Sequence, residues 1–340
     1  MAASTGASCW WDEMRPTRRP PARVRPHQHG AAVLMALFVA TLATLIVSGL
    51  FWRQFVLLRT IENQQLIAQS RLLFSGALDW ARAMLREDAL RGDYDALSEF
   101  WAQGLEETRL DQLGESSTLA AQASIAGSIE DAQSRLNLRN LIGDDGEVVE
   151  KELDALKRLC DVLGVPAVTA ELIAQRMKEA YAPQASGDPP GAGSPVARPL
   201  PPILATDISG IRGVDPDAAD RLAPYIVILD ANKTRLNVNT ASAEVIAARV
   251  NVTLARARAL VGERERISHF VNTGDVRNRL GSDSGLAASD NDISTATSYF
   301  FVRGQIKLAR AGIRMEALVR RPTQAQPGGS PVEILWQREL

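Results

Sequence analysis

The stretch that decides the fold is GAAVLMALFVATLATLIVSGLFW, Gly30 to Trp52, which contains no Asp, Glu, Lys or Arg. At about 1.5 Å rise per residue, Ala31 to Trp52 makes a helix of roughly 33 Å, enough to cross a bilayer core. A basic, Pro-rich segment precedes it, and a polar segment at helical spacing follows from Arg53. Such a run is either a cleaved secretory signal or a membrane anchor. A secretory signal has an apolar region of about 7–15 residues ending in a small-residue cleavage site. Here the run is longer, and Phe51, Trp52 and Arg53 follow it.

The flanks leave two kinds of anchor open. Arg15, Arg18, Arg19, Arg23 and Arg25 lie upstream and hold the N-terminus in the cytoplasm by the positive-inside bias. Gly30-Ala31, a Gly after a basic leader and before the apolar run, resembles the processing site of type IV pilin-like proteins. A plain signal anchor with a Gly at that place is the other reading. Met14 is an alternative start that gives a shorter leader.

The chain has 340 residues and a formal net charge of −2, a length that suggests two domains beyond the anchor. Five leader arginines stand against Asp12 and Glu13, so the rest of the chain sits near −5. That mild acidity argues against a general nucleic-acid surface. Of His27, His29 and His269, two lie in the leader, as does Cys9; Cys160 is the other cysteine. The mature chain cannot form a Cys/His zinc site or an internal disulfide. A Ser-His-Asp arrangement would rest on His269 alone. Cys160, in LKRLCDVLG, reads as a small core residue. With no phosphate-binding or dinucleotide-binding glycine pattern, the sequence points away from an enzyme.

No Pro occurs from Ala31 to Asp88, so anchor and following helix read as one element. Leu66, Leu73, Ala77, Trp80 and Met84 recur at helical spacing and are expected to form its buried face, against a sheet. No heptad persists beyond two or three repeats, which argues against a coiled coil. Residues 89–117 read as helix and loop. Ala120–Glu130 and Ser134–Leu138 alternate and are expected to pair as a hairpin turning at Asp131-Ala132-Gln133. Glu147 to Tyr181 returns to helical spacing, and Ala182 to Pro202 is a Pro/Gly/Ala-rich linker or loop. Asn239 or Thr240 is expected to cap a helix, Thr253 a second, and a third runs near Thr273 to Leu280. These paired short helices resemble the helix-hairpin-helix arrangement. From Ser298 three alternating segments, SYFFVRGQIKLA, GIRMEALVRR and PVEILWQRE, read as strands.

Together these features resemble the type II secretion system protein K family of minor pseudopilins, over most of the mature chain. The resemblance is carried by Gly30-Ala31; by SRLNLRNL, with Arg135, Asn137, Leu138, Asn140 and Leu141; by LNVNTAS, with Asn237, Asn239, Thr240 and Ala241; and by the terminal strands. It implies an α+β, type IV pilin-like fold: a long, partly transmembrane N-terminal helix on an antiparallel sheet, with a large inserted all-α domain containing helix-hairpin-helix-like units. The expected divisions are a leader at 1–30, the helix at 31–88, a pilin-like body at 89–142 and 293–340, and the insert at 143–292. Most pilin-like proteins carry Glu at the fifth mature position; here it is Met35. A charge at that depth needs a partner, and members of this family lack it, which fits a subunit with no neighbour above it. Met35 is otherwise simply lipophilic anchor. Many members carry an Asp-Trp-Ile-Asp-like run after the first inserted helix, where this chain has LIAQRMKEAYAP, so any role of those acids does not carry over.

The resemblance implies a non-enzymatic assembly subunit of the bacterial inner membrane: single-pass, N-terminus cytoplasmic, bulk periplasmic. Its implied partners are the other minor pseudopilins of a tip complex, prepilin peptidase and the inner-membrane secretion platform, with no nucleic acid and no cofactor apart from calcium. The rival reading is a membrane-anchored helix-hairpin-helix DNA-binding protein of a DNA-uptake system. The hairpin Val250-Asn251-Val252-Thr253 lacks the Gly such motifs use to meet phosphate. Asp283, Asp290, Asn291 and Asp292, and separately Asp144, Asp145 and Glu147, are oxygen-rich clusters of a kind that suits Ca²⁺; a solvated loop is the alternative.

Overall fold

A computed structural model describes residues 29–113, 120–181, 199–280, 292–322 and 332–340. The chain divides into two compact units, residues 1–62 and 63–340. Helix α1, His29–Asp88, contributes to both.

In the first unit the described residues are all helical. Val33, Met35, Phe38 and Phe51 are each more than 60% exposed. Aqueous exposure of so much apolar surface is unfavourable, and a bilayer removes the cost. Both threonines of the run are turned onto the helix itself. Thr41 donates to the Phe38 carbonyl at 2.8 Å and Thr44 to the Ala40 carbonyl at 2.7 Å, so neither hydroxyl faces hydrocarbon unpaired.

In the second unit the chain continues through β1 (Leu105–Arg109), β2 (Ala123–Asp131), β3 (Leu136–Asn137), α2 (Glu150–Val162) and α3 (Val168–Tyr181). Then come α4 (Pro216–Leu222), β4 (Ile226–Val227), β5 (Leu236–Asn237), α5 (Ala243–Val250), α6 (Leu254–Ile267) and α7 (Thr273–Leu280). The last elements are β6 (Ile293–Ser294), β7 (Tyr299–Leu308), β8 (Ala311–Arg320) and β9 (Glu333–Glu339). Among the described residues, β1-β2-β7-β8-β9 form one antiparallel sheet in that order. The part of α1 within this unit lies on this sheet, giving an α+β architecture.

The buried face of α1 is Phe74, Leu78, Ala81 and Leu85, each at most 3% exposed. It packs with Ile129, Phe300, Val302, Ile306 and Ile313 of the sheet. The expected face lies about a quarter turn away. Leu66, Leu73, Ala77 and Met84 are only half-buried, and Trp80 is 53% exposed. At 100° per residue the two stripes are both apolar, and a glycine in the sheet selects between them. A Cβ on Gly304 would stand 2.9 Å from Phe74 Cε2, so the bare glycine seats the Phe74 ring.

The expected hairpin at 120–138 does not form. Strand β2 pairs with β1 and β7, whereas β3 pairs in parallel with β4. Asp131 ends β2 by accepting from the Gln133 N–H at 2.7 Å, which starts a three-ten turn and redirects the chain. Leu136, Leu138, Leu141 and Ile142 then enter the core of the helical domain. The boundary expected at 142 therefore falls directly after β2. At the other end β6 pairs in parallel with β5, and Ile293 is in the same helical core, so the sheet resumes at Tyr299 rather than at 293. Strand β1 was expected as helix or loop.

Helix α5 is capped by Ser242, whose side chain accepts from Val245 N at 3.4 Å, and not by Asn239 or Thr240. Thr253 caps α6. Between them Asn251 takes a left-handed φ of 58°, a conformation Asn tolerates in place of Gly.

Candidate functional site

Two places carry the residues singled out in the sequence: the start of α1, and the seam where the helical domain meets the sheet. Gly30 and Ala31 lie in the first turn of α1, with open space around the Gly30 backbone. The leader before His29 lies outside the described residues. Met35 is 68% exposed in the apolar run.

The SRLNLRNL residues fold onto the loop after β4. Asn137 Nδ2 donates to the Ala231 carbonyl at 2.8 Å and to Thr234 Oγ1 at 2.9 Å, while its Oδ1 accepts from Arg139 N and Leu229 N. Asn140 exchanges two bonds with the Thr234 backbone, at 2.8 and 3.1 Å. Each buried amide is thus satisfied by backbone far away in sequence. Leu138 and Leu141 fill the helical core. Arg135 pairs with Glu130 at 2.9 Å and stacks over Phe301.

Two of the LNVNTAS residues, Asn237 and Thr240, reach Asp131 at the end of β2. Asn237, fully buried, donates to Asp131 Oδ2 at 2.8 Å and to the Asp95 carbonyl at 3.1 Å. Thr240 Oγ1 donates to the same Asp131 oxygen at 2.5 Å. Asn239 bridges the Phe270 backbone at 2.8 and 3.0 Å. The Ala241 carbonyl accepts from Arg264 at 2.8 Å.

Asp131 and Asp95 complete this seam, and sequence reading missed both roles. Asp95 Oδ2 accepts from Thr297 N at 2.7 Å, and its other oxygen pairs with Arg321. Arg321 also reaches Asp88 at 2.7 Å and the Leu85 carbonyl at 3.1 Å, and stacks over Phe300. One buried guanidinium therefore joins the end of α1, the loop after it and the end of β8. Burial pushes the Asp95 carboxyl up to about 7, against the pull of Arg321 and the Thr297 N–H. Burial also raises Asp131, opposed by the hydrogen bonds from Thr240 and Asn237. Across the outer face of the sheet, Arg303 pairs with Glu316 at 2.7 Å and Glu316 with Arg338 at 2.6 Å.

Asp88, Asp95 and Glu99 lie close enough to share a metal ion. The Arg321 guanidinium already supplies the counter-charge to the first two, and Glu99 accepts from Ala96 N and Trp101 Nε1 at 2.8 and 3.0 Å. Asp283 and Asp290, proposed for calcium, lie outside the described residues. Asp292 is 4% exposed and pairs with Lys151 and with Arg249. Asp144 pairs with Lys233, and Glu147 with Lys178 at 2.6 Å.

Three of the arginines of α6 are engaged within the fold. Arg264 donates to two backbone carbonyls, Arg256 to the Arg279 carbonyl, and Arg258 pairs with Glu244 at 3.7 Å.

Family profiles described as "Type II secretion system (T2SS), protein K" match residues 134–231 and 236–296. A type II secretion system protein K from Pseudomonas aeruginosa is 28% identical over 315 residues, covering 87% of this chain and 89% of that protein. The crystal structure of the GspK-GspI-GspJ complex from the enterotoxigenic Escherichia coli type 2 secretion system holds a chain of similar fold. Its TM-score is 0.62 at 20% identity, over 82% of this chain and 98% of that one.

Proposed function

We propose that this chain, which belongs to the type II secretion system protein K family, works as the minor pseudopilin at the tip of the pseudopilus and helps to start its assembly for protein export. The observation that carries this reading is the helical domain spliced into the sheet between Asp131 and Tyr299. A tightly packed helical filament repeats a slim helix-plus-sheet unit. A subunit with this added bulk fits at an end, where nothing stacks above it.

The apolar part of α1 holds the subunit in the inner membrane until assembly, with the N-terminus cytoplasmic and the sheet and helical domain periplasmic. Prepilin peptidase cuts between Gly30 and Ala31 and methylates the new amine. Met35 brings no acid to the fifth mature position, so the subunit does not present the carboxylate that would meet the ammonium of a neighbour above. Its partners are the other minor pseudopilins and the inner-membrane secretion platform; the work is assembly rather than catalysis. The α5–α6 pair acts as a structural helix-hairpin-helix-like unit and not as a nucleic-acid reader.

Intact-mass analysis of the protein extracted from membranes tests the reading. The expected chain begins at methylated Ala31, and Gly30→Asp leaves it unprocessed and abolishes secretion. A chain that keeps its leader, or secretion that survives Gly30→Asp, removes the basis for the assignment.

A further inference from the structure

We propose that a cleft between the helical domain and the outer face of the sheet receives an extended, acid-bearing segment of a partner protein. The cleft has a volume of about 320 Å³. It opens on the side of the sheet away from α1. Phe300 and Val302 of β7 pack with α1, and the alternate residues Phe301 and Arg303 line the cleft.

The cleft carries a surplus of positive charge. Arg135 pairs with Glu130 at 2.9 Å, Glu130 with Arg303, Arg303 with Glu316 at 2.7 Å, and Glu316 with Arg338 at 2.6 Å. This run of alternating charges begins and ends on arginine, so its net charge is +1. Arg338 gives Nε and Nη2 to one Glu316 oxygen, and among the described residues its Nη1 makes no hydrogen bond. The cations are held in place before any ligand arrives. Arg135 and Arg303 stack over Phe301, and Arg338 stacks over Trp336 at 5.7 Å. Such preorganisation cuts the ordering cost of binding.

The occupant follows from charge and from shape. A surplus of one charge matches one carboxylate, whose two oxygens suit the guanidinium fork. A phosphate dianion would bring a second negative charge against Glu316. Strand β9 supplies Trp336 and Arg338 to the cleft, and among the described residues its far edge is unpaired. An extended segment laid on that edge presents alternate side chains to the same face. It therefore carries an Asp or Glu beside Arg338 and, two positions away, an apolar residue beside Trp336. A strand without the acid would cover Arg338 and leave it unmatched, so the edge rejects it. From the helical domain, Ile203 adds an apolar lip at 59% exposure.

The test uses the full-length chain in its native cells. A photo-reactive benzoylphenylalanine replaces Ile203 or, as a control, Val271, which is 65% exposed in the loop between α6 and α7. The expected adduct forms from position 203 about tenfold more than from position 271. By mass spectrometry it maps to a segment of another protein with an acid two positions from an apolar residue. Arg338→Gln lowers its yield about tenfold, the size of one interfacial charge pair. Replacing the mapped acid by its amide does the same, and the two changes together lower the yield no further, because they remove one contact. Neutral substitutions set no like charges beside Glu316, so the comparison does not depend on a disrupted fold. No adduct, equal adducts at both positions, or capture of lipid, of a second copy of this chain or of a segment without an acid overturns the proposal. So do losses that multiply when the two substitutions are combined.

Discussion

At the scale of single residues, Gly304 and Asp95 set the most. Gly304 gives Phe74 its seat on the sheet, and any Cβ there meets the ring at 2.9 Å. Gly304→Ala is expected to destabilise the chain by about 1–3 kcal/mol, as overpacking does, with partial recovery in Gly304→Ala/Phe74→Leu. Urea midpoints of the detergent-solubilised protein measure both. Asp95 titrates at its ordinary 3.8 in the unfolded chain and near 7 in the fold. The folded chain binds that proton more tightly, so the stability it contributes is full below 3.8 and is lost as pH rises through about 7. Buried Asp131 and half-buried Glu99 shift in the same direction. The melting temperature should therefore fall between pH 5 and 8, and fall less steeply in Asp95→Asn. Equal slopes would mean that the Asp95 carboxyl does not titrate in that window.

At the scale of elements, α1 separates two apolar stripes by what they touch. Leu78 is 2% exposed against the sheet, and Leu78→Ala should cost about 2–5 kcal/mol. Trp80 is 53% exposed, and Trp80→Ala should cost under about 1 kcal/mol; thermal denaturation compares them. The sequence made α1 and the last three strands legible, because period 3.6 and period 2 are strong there. It could not choose between the stripes of α1, since both are apolar and the choice lies with a glycine some 230 residues away. Nor could it reveal β1, a polar edge strand without alternation. The apparent hairpin at 120–138 had the right period on both sides. It failed because Asp131 turns the chain aside and Leu136 has a deeper place to go. The Asn residues of the two motifs were visible as a pattern, but their partners, Asp131, Asp95 and the loop at 231–234, were not, because these contacts join segments roughly 90 to 140 positions apart.

At the scale of the whole second unit, two cores are joined by a polar seam. The helical domain has its own apolar centre, the sheet shares another with α1, and between them sits a smaller cluster around Tyr299, Phe301 and Leu318. Asn237, Asp131, Asp95 and Arg321 bind the two across that boundary, and each is at most 3% exposed. Buried polar contacts of this kind fix one arrangement because any slippage leaves charges and amides without partners. The helical domain is thereby held in one orientation on the sheet rather than tethered loosely.

The register of β2 against β7 sets Asp131 opposite Phe300. The polypeptide thus departs on its long detour and comes back at neighbouring points of adjacent strands, as though the helical domain were one oversized β-turn. A gene that lost everything between those points and acquired a tight Asn-Gly link would still encode a contiguous hairpin there. The domain is in that sense an insertion at one corner of the sheet, which leaves and rejoins it without interrupting the strand order beneath.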